Sequence, residues 1–377
     1  MERIVLGYGG DLDTTVTIPW LRGKYHADVI AVTVDLGQGG ELETVRNRAL
    51  AAGAARAHVL DAREEFASGY VLPAVAADAF GDRYAPLNDS LGRALVVGKL
   101  VEVAGIEHAP AIAHGCHVEG SGRFDVLAGG LCPALKVIAP SREWGLTRSE
   151  QTEYARTHGI PVPAAGTSRY RADVNLWGRS VSGGILSDLW TEAPEDAFSL
   201  TKAAADCPDV AAHVEIMFER GVPTAINGVE MPMLDLIASL TTIAAAHGVG
   251  RIDSAGKPPA GLKRVVHEAP AAVILHQAHE DLQRLVSTSD ADRVSQAVSR
   301  EYREAIVGGR WFTPLRGSLD AYVQKTQERV TGTVRLTLFK GGCSITGRQS
   351  PHALDTTAPA GAGAGNVRAF RSPVVTR

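Results

Sequence analysis

The segment that most constrains this chain is its start, Ile4-Val5-Leu6-Gly7-Tyr8-Gly9-Gly10-Asp11-Leu12-Asp13-Thr14-Thr15. A short apolar run ends in a cluster of glycines, and small hydroxyl residues then open an amphipathic stretch, Val16 to Leu21. That is the order of a strand, a tight turn and a helix. Glycines let backbone amides crowd around an anion, and the helix N-terminus adds partial positive charge. The outline is that of a phosphate-binding turn with one wrong charge. A carboxylate a few ångströms from a phosphate costs on the order of a few kcal/mol at an effective dielectric near 20. Asp11 therefore repels a phosphate, turns outward, or holds a magnesium ion, which favours carboxylate oxygen. A plain strand–turn–helix with Asp11 in the turn and Asp13 as N-cap fits the same residues, and a glycine cluster alone is a weak sign of nucleotide binding.

The pattern then repeats. Short apolar runs at Arg3 to Tyr8, Val29 to Asp35, Ala57 to Asp61, Ala111 to His114 and Lys136 to Ala139 alternate with helical stretches such as Leu42 to Ala52 and Ser90 to Ala104. This alternation predicts an α/β fold with a doubly wound parallel sheet, whose ligands sit at the carboxyl ends of the strands. The Gly9-Gly10 loop, Asp35 to Gln38 and His114 to Gly122 all fall there. Pro, Ala and Gly crowd together from Pro161 to Thr167, which places a boundary near 165. We expect a nucleotide-binding domain over 1–165, an α+β domain over 166–355 and a flexible tail over 356–377. Within the second region, Ser289 to Val307 and Arg316 to Val330 read as helices. Thr331 to Phe339 reads as a half-exposed antiparallel strand.

Composition narrows the function classes. A net charge of -4 indicates no polyanion-binding surface and so no nucleic-acid partner. No apolar run reaches the length of a membrane span, and the chain enters a strand without a secretory signal. Four irregularly spaced cysteines with no CxxC pair point to a reducing cytoplasm.

The start resembles argininosuccinate synthases, of the N-type ATP pyrophosphatase superfamily. That family carries Ser-Gly-Gly-Leu-Asp-Thr-Ser where this chain has Gly9 to Thr15. The resemblance continues through Val34 to Gln38, Asp61 to Phe66, Ala113 to Gly115, Lys136 to Pro140 and Asn175 to Ser180. It resumes at Gly221 to Pro223, His247 to Asp253, Val330 to Leu336 and Gly347 to Pro351. The blocks keep the family's order to about position 355, which is specific for the fold and less so for the activity. The resemblance implies a synthetase and oligomerisation domain after the first, and a homo-oligomer, tetramer or dimer. The tail does not match the family's C-terminal arm. The implied chemistry is attack of a citrulline ureido oxygen on the α-phosphate of ATP, loss of pyrophosphate, then displacement of AMP by the amine of aspartate.

Each cradle is altered. For ATP and Mg2+, the resemblance assigns Tyr8, Gly9, Gly10, Asp11, Leu12, Asp13, Thr14, Thr15 and Gly115, with Gly9 for a serine and Asp11 for a glycine. For the amino acids it assigns Tyr84, Ser90, His117, Arg123, Arg171, Ser180 and His267, with Asp13 and Arg123 as the catalytic pair. His117 stands for a threonine, Glu119 for a lysine, Arg171 for a serine, Gly256 for a glutamate and His267 for a tyrosine. Arg171 adds a cation that favours an acidic ligand. Three functions follow. The first is an ATP-dependent carbon–nitrogen ligase on a non-standard substrate pair in specialised metabolism. The second is an enzyme that keeps the scaffold without adenylation. The third is a non-catalytic binding or regulatory paralogue. His114, Cys116, His117 and Glu119 are metal-compatible side chains, but their spacing fits no known finger or protease, and we assign no metal. Trp177 and Trp190 read as core, Cys132 and Cys343 as buried small side chains, and Ser180 equally as a cap.

Overall fold

The computed structural model describes residues 2–81, 85–116, 118–145, 147–160, 169–256 and 263–354. The first half winds β1 (Arg3–Gly7), α1 (Leu12–Tyr25), β2 (Asp28–Asp35), α2 (Leu42–Ala51), β3 (Arg56–Asp61), α3 (Arg63–Phe66), α4 (Leu72–Ala76) and α5 (Asn88–Ile106). It continues with β4 (Ala111–His114), α6 (Val118–Leu131), β5 (Lys136–Ile138), α7 (Pro140–Glu143) and α8 (Arg148–Thr157). All five strands pair in parallel in the order β3-β2-β1-β4-β5. Ile4, Val5 and Leu6 are fully buried, as parallel strands covered on both faces must be. The winding direction reverses between β1 and β4, so the crevice that can take a ligand opens past Gly7 and His114.

The second half contributes β6 (Arg171–Asn175), β7 (Gly178–Ser182), β8 (Ala212–Glu219), β9 (Val222–Ile226), β10 (Val229–Glu230), α9 (Met233–Ala246), β11 (Arg251–Gly256) and β12 (Lys263–Glu268). Then come α10 (Pro270–Val286), α11 (Ser289–Val307), α12 (Pro314–Gln327), β13 (Gly332–Phe339) and β14 (Gly342–Gln349). Its strands form an antiparallel sheet ordered β11-β12-β7-β6 and a second ordered β10-β9-β8-β13-β14. A continuous apolar core joins the two halves. Leu91, Leu95 and Leu100 of α5 belong to the same buried cluster as Val5 and Val32 of the parallel sheet and Phe218 and Leu336 of the antiparallel one.

Three expectations need correction. Trp177 is buried, but Trp190 is 96% exposed, on a turn with no apolar partner layer. Cys132 and Cys343 are half-buried, and Cys207 is the buried thiol. The helix read as Arg316 to Val330 spans Pro314–Gln327, because Pro314 has no amide to satisfy and starts the first turn. The tail and the boundary segment Pro161 to Thr167 lie outside the described residues.

Candidate active site

At the end of β1 the chain turns through Gly10 at φ 77° and enters α1 with Asp11, not Asp13, as N-cap. Asp11 is extended (φ -80°, ψ 176°), and its Oδ1 accepts from the Thr14 amide at 2.8 Å and from the Thr14 hydroxyl. The helix begins this early because Leu12 and Val16, one turn apart, bury together against Ala155. Asp11 thus neither points away nor stands idle: its carboxylate takes one of the first-turn amides. Thr15 Oγ1 donates to the Asp11 carbonyl at 2.5 Å, so the Tyr8 hydroxyl, 3.0 Å away, donates to it in turn. Burial pushes the Tyr8 phenol up, which keeps it a donor. Arg48 holds the Gly10 carbonyl at 2.6 Å. The amides of Gly9, Gly10, Asp11 and Leu12 donate no backbone hydrogen bond among the described residues, so they stand open at a helix N-terminus. Gly115 closes the other side of the crevice. A Cβ there would sit 2.4 Å from Thr14 Cγ2, and only glycine lets the β4 loop approach α1 this closely.

Beside this cradle, His114 is buried, and burial drives its imidazole down to about 4. Its Nδ1 accepts from the Cys116 amide at 3.1 Å, which shapes the loop. The loop after β2 is tied to the second half by the Leu176 amide on the Leu36 carbonyl at 2.8 Å.

The register of the four-stranded sheet sets out the rest. Asp173, Ser180, His267 and Ile252 are directly opposed across β6, β7, β12 and β11. Arg171 pairs with Ser182, Ser254 with Val265, and Gly256 with Lys263. Side chains alternate along a strand, so Arg171, Asp173, Ser180, Ser182, His267, Ser254 and Gly256 share one face. Val181 and Val266 point the other way into an apolar cluster with Leu186. On that other side the fully buried Glu268 accepts from the amides of Ser199, Leu200 and Thr201 and pairs with Arg179 at 2.9 Å.

The start of α5 lies against this polar face. Asn88 Nδ2 donates to the Gly178 carbonyl at 3.2 Å, and Ser180 Oγ donates to Asn88 Oδ1 at 2.6 Å. Ser180 Oγ lies 2.8 Å from His267 Nδ1, and Ser254 Oγ lies 3.2 Å from His267 Nε2. Ser180 is a strand residue in a side-chain network, not a cap. Burial pushes His267 down to about 4 despite the nearby Asp253. One turn along α5, Arg93 pairs with Asp89 at 2.6 Å. Asp173 reaches solvent, yet desolvation and then the Asp89 carboxylate raise its carboxyl above the usual range. Its carboxylate has no hydrogen-bond partner among the described residues.

The structure therefore brings Ser180, His267 and Arg171 onto one surface and sets Ser90 in the adjoining turn of α5. Arg123 stands apart on α6, its backbone packed against Gly309 and its guanidinium without an ion pair among the described residues. Tyr84 and His117 lie outside the described residues, as does the Glu119 side chain. Among the described residues no group of three or more His, Cys, Asp or Glu side chains could hold a metal. Sequence reasoning passed over Asn88, Asp89, Arg93 and Asp173. The available signal was the Asn88-Asp89 pair opening an amphipathic stretch and the charged alternation of Arg171 and Asp173. A cavity of about 1100 Å3 lies elsewhere, between Met217, Pro223, Met231 and Pro351, with Glu219 and Glu230 as its charged side chains.

Two family models cover this chain. The arginosuccinate synthase N-terminal HUP domain matches residues 3–161, and the arginosuccinate synthase C-terminal domain matches 170–362. The chain belongs to the argininosuccinate synthase family. It is 47% identical over 357 residues to a protein named argininosuccinate synthase from Rubrobacter xylanophilus, covering 94% of this chain and 87% of the relative. Relatives of the same name from Acaryochloris marina and Oceanobacillus iheyensis are each 44% identical over 94% of this chain, covering 90% and 85% of their own lengths. Argininosuccinate synthases are carbon–nitrogen ligases, and membership makes this chain an enzyme of that ligase family. The U34-tRNA thiolase NcsA from Methanococcus maripaludis aligns over 44% of this chain and 61% of its own at a TM-score of 0.30 and 14% identity, too slight to bear on the reading.

Proposed function

We propose that this chain is an ATP-dependent ligase that adenylates a substrate seated on the polar face of the four-stranded sheet. An amine then displaces AMP and forms a carbon–nitrogen bond, while pyrophosphate has left in the first step. The observation that carries the reading is the joining of the two surfaces. The Leu176 amide after β6 bonds to the Leu36 carbonyl after β2, and Arg93 of α5 lies beside both Cys116, in the loop after β4, and Asp173 of β6; these contacts support one crevice bordered by the open amides and the polar face. The identity to named argininosuccinate synthases supports the ligase class.

In this reading the amides of Gly9 to Leu12 bind the ATP phosphates, and Tyr8 and Thr15 hold the turn in shape. Asp13, an acidic residue of the first turn, would hold a magnesium ion that arrives with the nucleotide, since Mg2+ commonly keeps one or two carboxylates plus substrate phosphates. Its chemistry when bound is charge neutralisation on the phosphates. Arg123 anchors a substrate carboxylate. The division of work near residue 165 belongs to the same reading, supported by family models that end at 161 and start at 170. So do a cytoplasmic homo-oligomer and small amino-acid-like substrates.

The substrate pair we propose differs from citrulline and aspartate. Arg171 and the Asp89–Asp173 pair add charge to the polar face, and Gly256 leaves it without a carboxylate at that row. Asp11 supports a second reading, a scaffold without adenylation, because its carboxylate occupies an amide that a phosphate would use. The test is pyrophosphate release from ATP with paired amino acids. Release with other acidic or cationic partners, but not with citrulline and aspartate, is expected. Equal or faster release with citrulline and aspartate refutes the altered pair.

A further inference from the structure

The network behind Ser180 is directional, and its direction fixes the state of His267. The Asn88 amide nitrogen faces two carbonyls, Gly178 at 3.2 Å and Asp173 at 3.4 Å. Carbonyls accept only, so Nδ2 is the donor and Oδ1 the acceptor, with no ambiguity of amide orientation. The backbone of Asn88 is itself held by Asn175 Nδ2 on its carbonyl at 2.8 Å. The Ser180 hydroxyl has one proton, and it goes to Asn88 Oδ1 at 2.6 Å. Toward His267 Nδ1, at 2.8 Å, Ser180 Oγ therefore accepts, and Nδ1 carries hydrogen. No carboxylate lies within hydrogen-bond reach of the ring among the described residues, and the desolvation of this half-buried ring favours the neutral form. A neutral ring with hydrogen on Nδ1 has a bare Nε2.

Nε2 meets Ser254 Oγ at 3.2 Å, and the same hydroxyl lies 3.2 Å from the Val265 carbonyl. One proton serves two acceptors. A ligand donor can take Nε2 and leave Ser254 bonded to Val265, so displacement strands no buried group.

We propose that Asn88 and Ser180 are positioning residues that lock His267 in its Nδ1–H form, so that Nε2 serves the site as a hydrogen-bond acceptor. The ligand group that docks there bears an N–H or O–H donor, such as a guanidino or hydroxyl group, and is not a carboxylate. That substrate class rests on the ligase site proposed above; the tautomer does not.

The test is nitrogen-15 NMR of the full chain with labelled histidine, free of nucleotide, at neutral pH, with His267→Asn identifying the resonances. The expected spectrum shows a protonated Nδ1 and a pyridine-type Nε2. Ser180→Ala should transfer hydrogen to Nε2 in much of the population while the melting transition persists, and Ser180→Thr should restore the Nδ1–H form. A protonated Nε2 in the wild type, a doubly protonated ring, or no response to Ser180→Ala overturns the lock. L-arginine and L-glutamate are then added in turn, so that a guanidino donor and a carboxylate are compared on the same amino-acid frame. An Nε2 shift with arginine but not glutamate is expected. No shift with arginine up to its solubility, or an equal shift with glutamate, overturns the donor class. Failure of ATP to bind would defeat the ligase reading and leave the tautomer result standing.

Discussion

Removing the charge of Asp11 should strengthen ATP binding. The carboxylate caps α1 through Thr14, at the end of the turn where the open amides of Gly9 to Leu12 gather. Two unit charges about 4 Å apart interact by ~4 kcal/mol at an effective dielectric of 20. Asp11 is exposed, so water and salt screen this to about 1–2 kcal/mol. Asp11→Asn keeps the cap, since Asn and Asp rank alike there, and deletes only the charge. MgATP affinity should rise by roughly 5- to 30-fold at ~1.4 kcal/mol per decade, and the gain should shrink as salt is added. Asp11→Gly should gain similarly at a stability cost of a few tenths of a kcal/mol. Isothermal titration with MgATP reads both. Weaker binding by Asp11→Asn would mean that the carboxylate ligates magnesium, and the repulsion argument would be wrong.

Other expectations follow from the same geometry. Gly115→Ala drives a Cβ into Thr14 and should destabilise the chain by ~1–3 kcal/mol, with loss of nucleotide affinity; an unchanged melting temperature would contradict the close approach. Glu268→Ala leaves Arg179 and three amides without their shared acceptor. It should cost about 3–5 kcal/mol and expose Ser199 to Thr201 to hydrogen exchange. His114 titrates near 4 in the fold against 6.5 when unfolded, so the unfolded chain binds a proton first as pH falls. Stability should drop between pH 6.5 and 4 by about 3 kcal/mol from this group, at ~1.36 kcal/mol per unit. Denaturant unfolding of wild type and His114→Gln across that range should show the slope in the former and a flatter curve in the latter.

The parallel sheet was legible because buried parallel strands are continuous apolar runs, and all five expected strands formed. The N-cap was misread because Asp11 and Asp13 are chemically equal candidates. The choice is made by Leu12 burying with Ala155, a residue far along the chain. Family resemblance placed Ser180 and His267 as site residues. Their direct pairing depends on the β7–β12 register, which no local pattern reports. Asn88 and Asp173 were missed for the same reason, since their role appears only when α5 lies against β6 and β7. Trp190 was assigned to the core on residue type alone, and a turn with nothing packed over it overrode that preference.

In the proposed reaction the crevice between β1, β4 and the polar sheet face activates a substrate with ATP. Its most direct measurement is AMP formation from MgATP by the purified wild-type chain, followed as amino acids are added singly and in pairs. AMP and pyrophosphate are expected in equal amounts, appearing only with a substrate present. No AMP with any pair, from a protein that also fails to bind MgATP by titration, would contradict the proposed reaction.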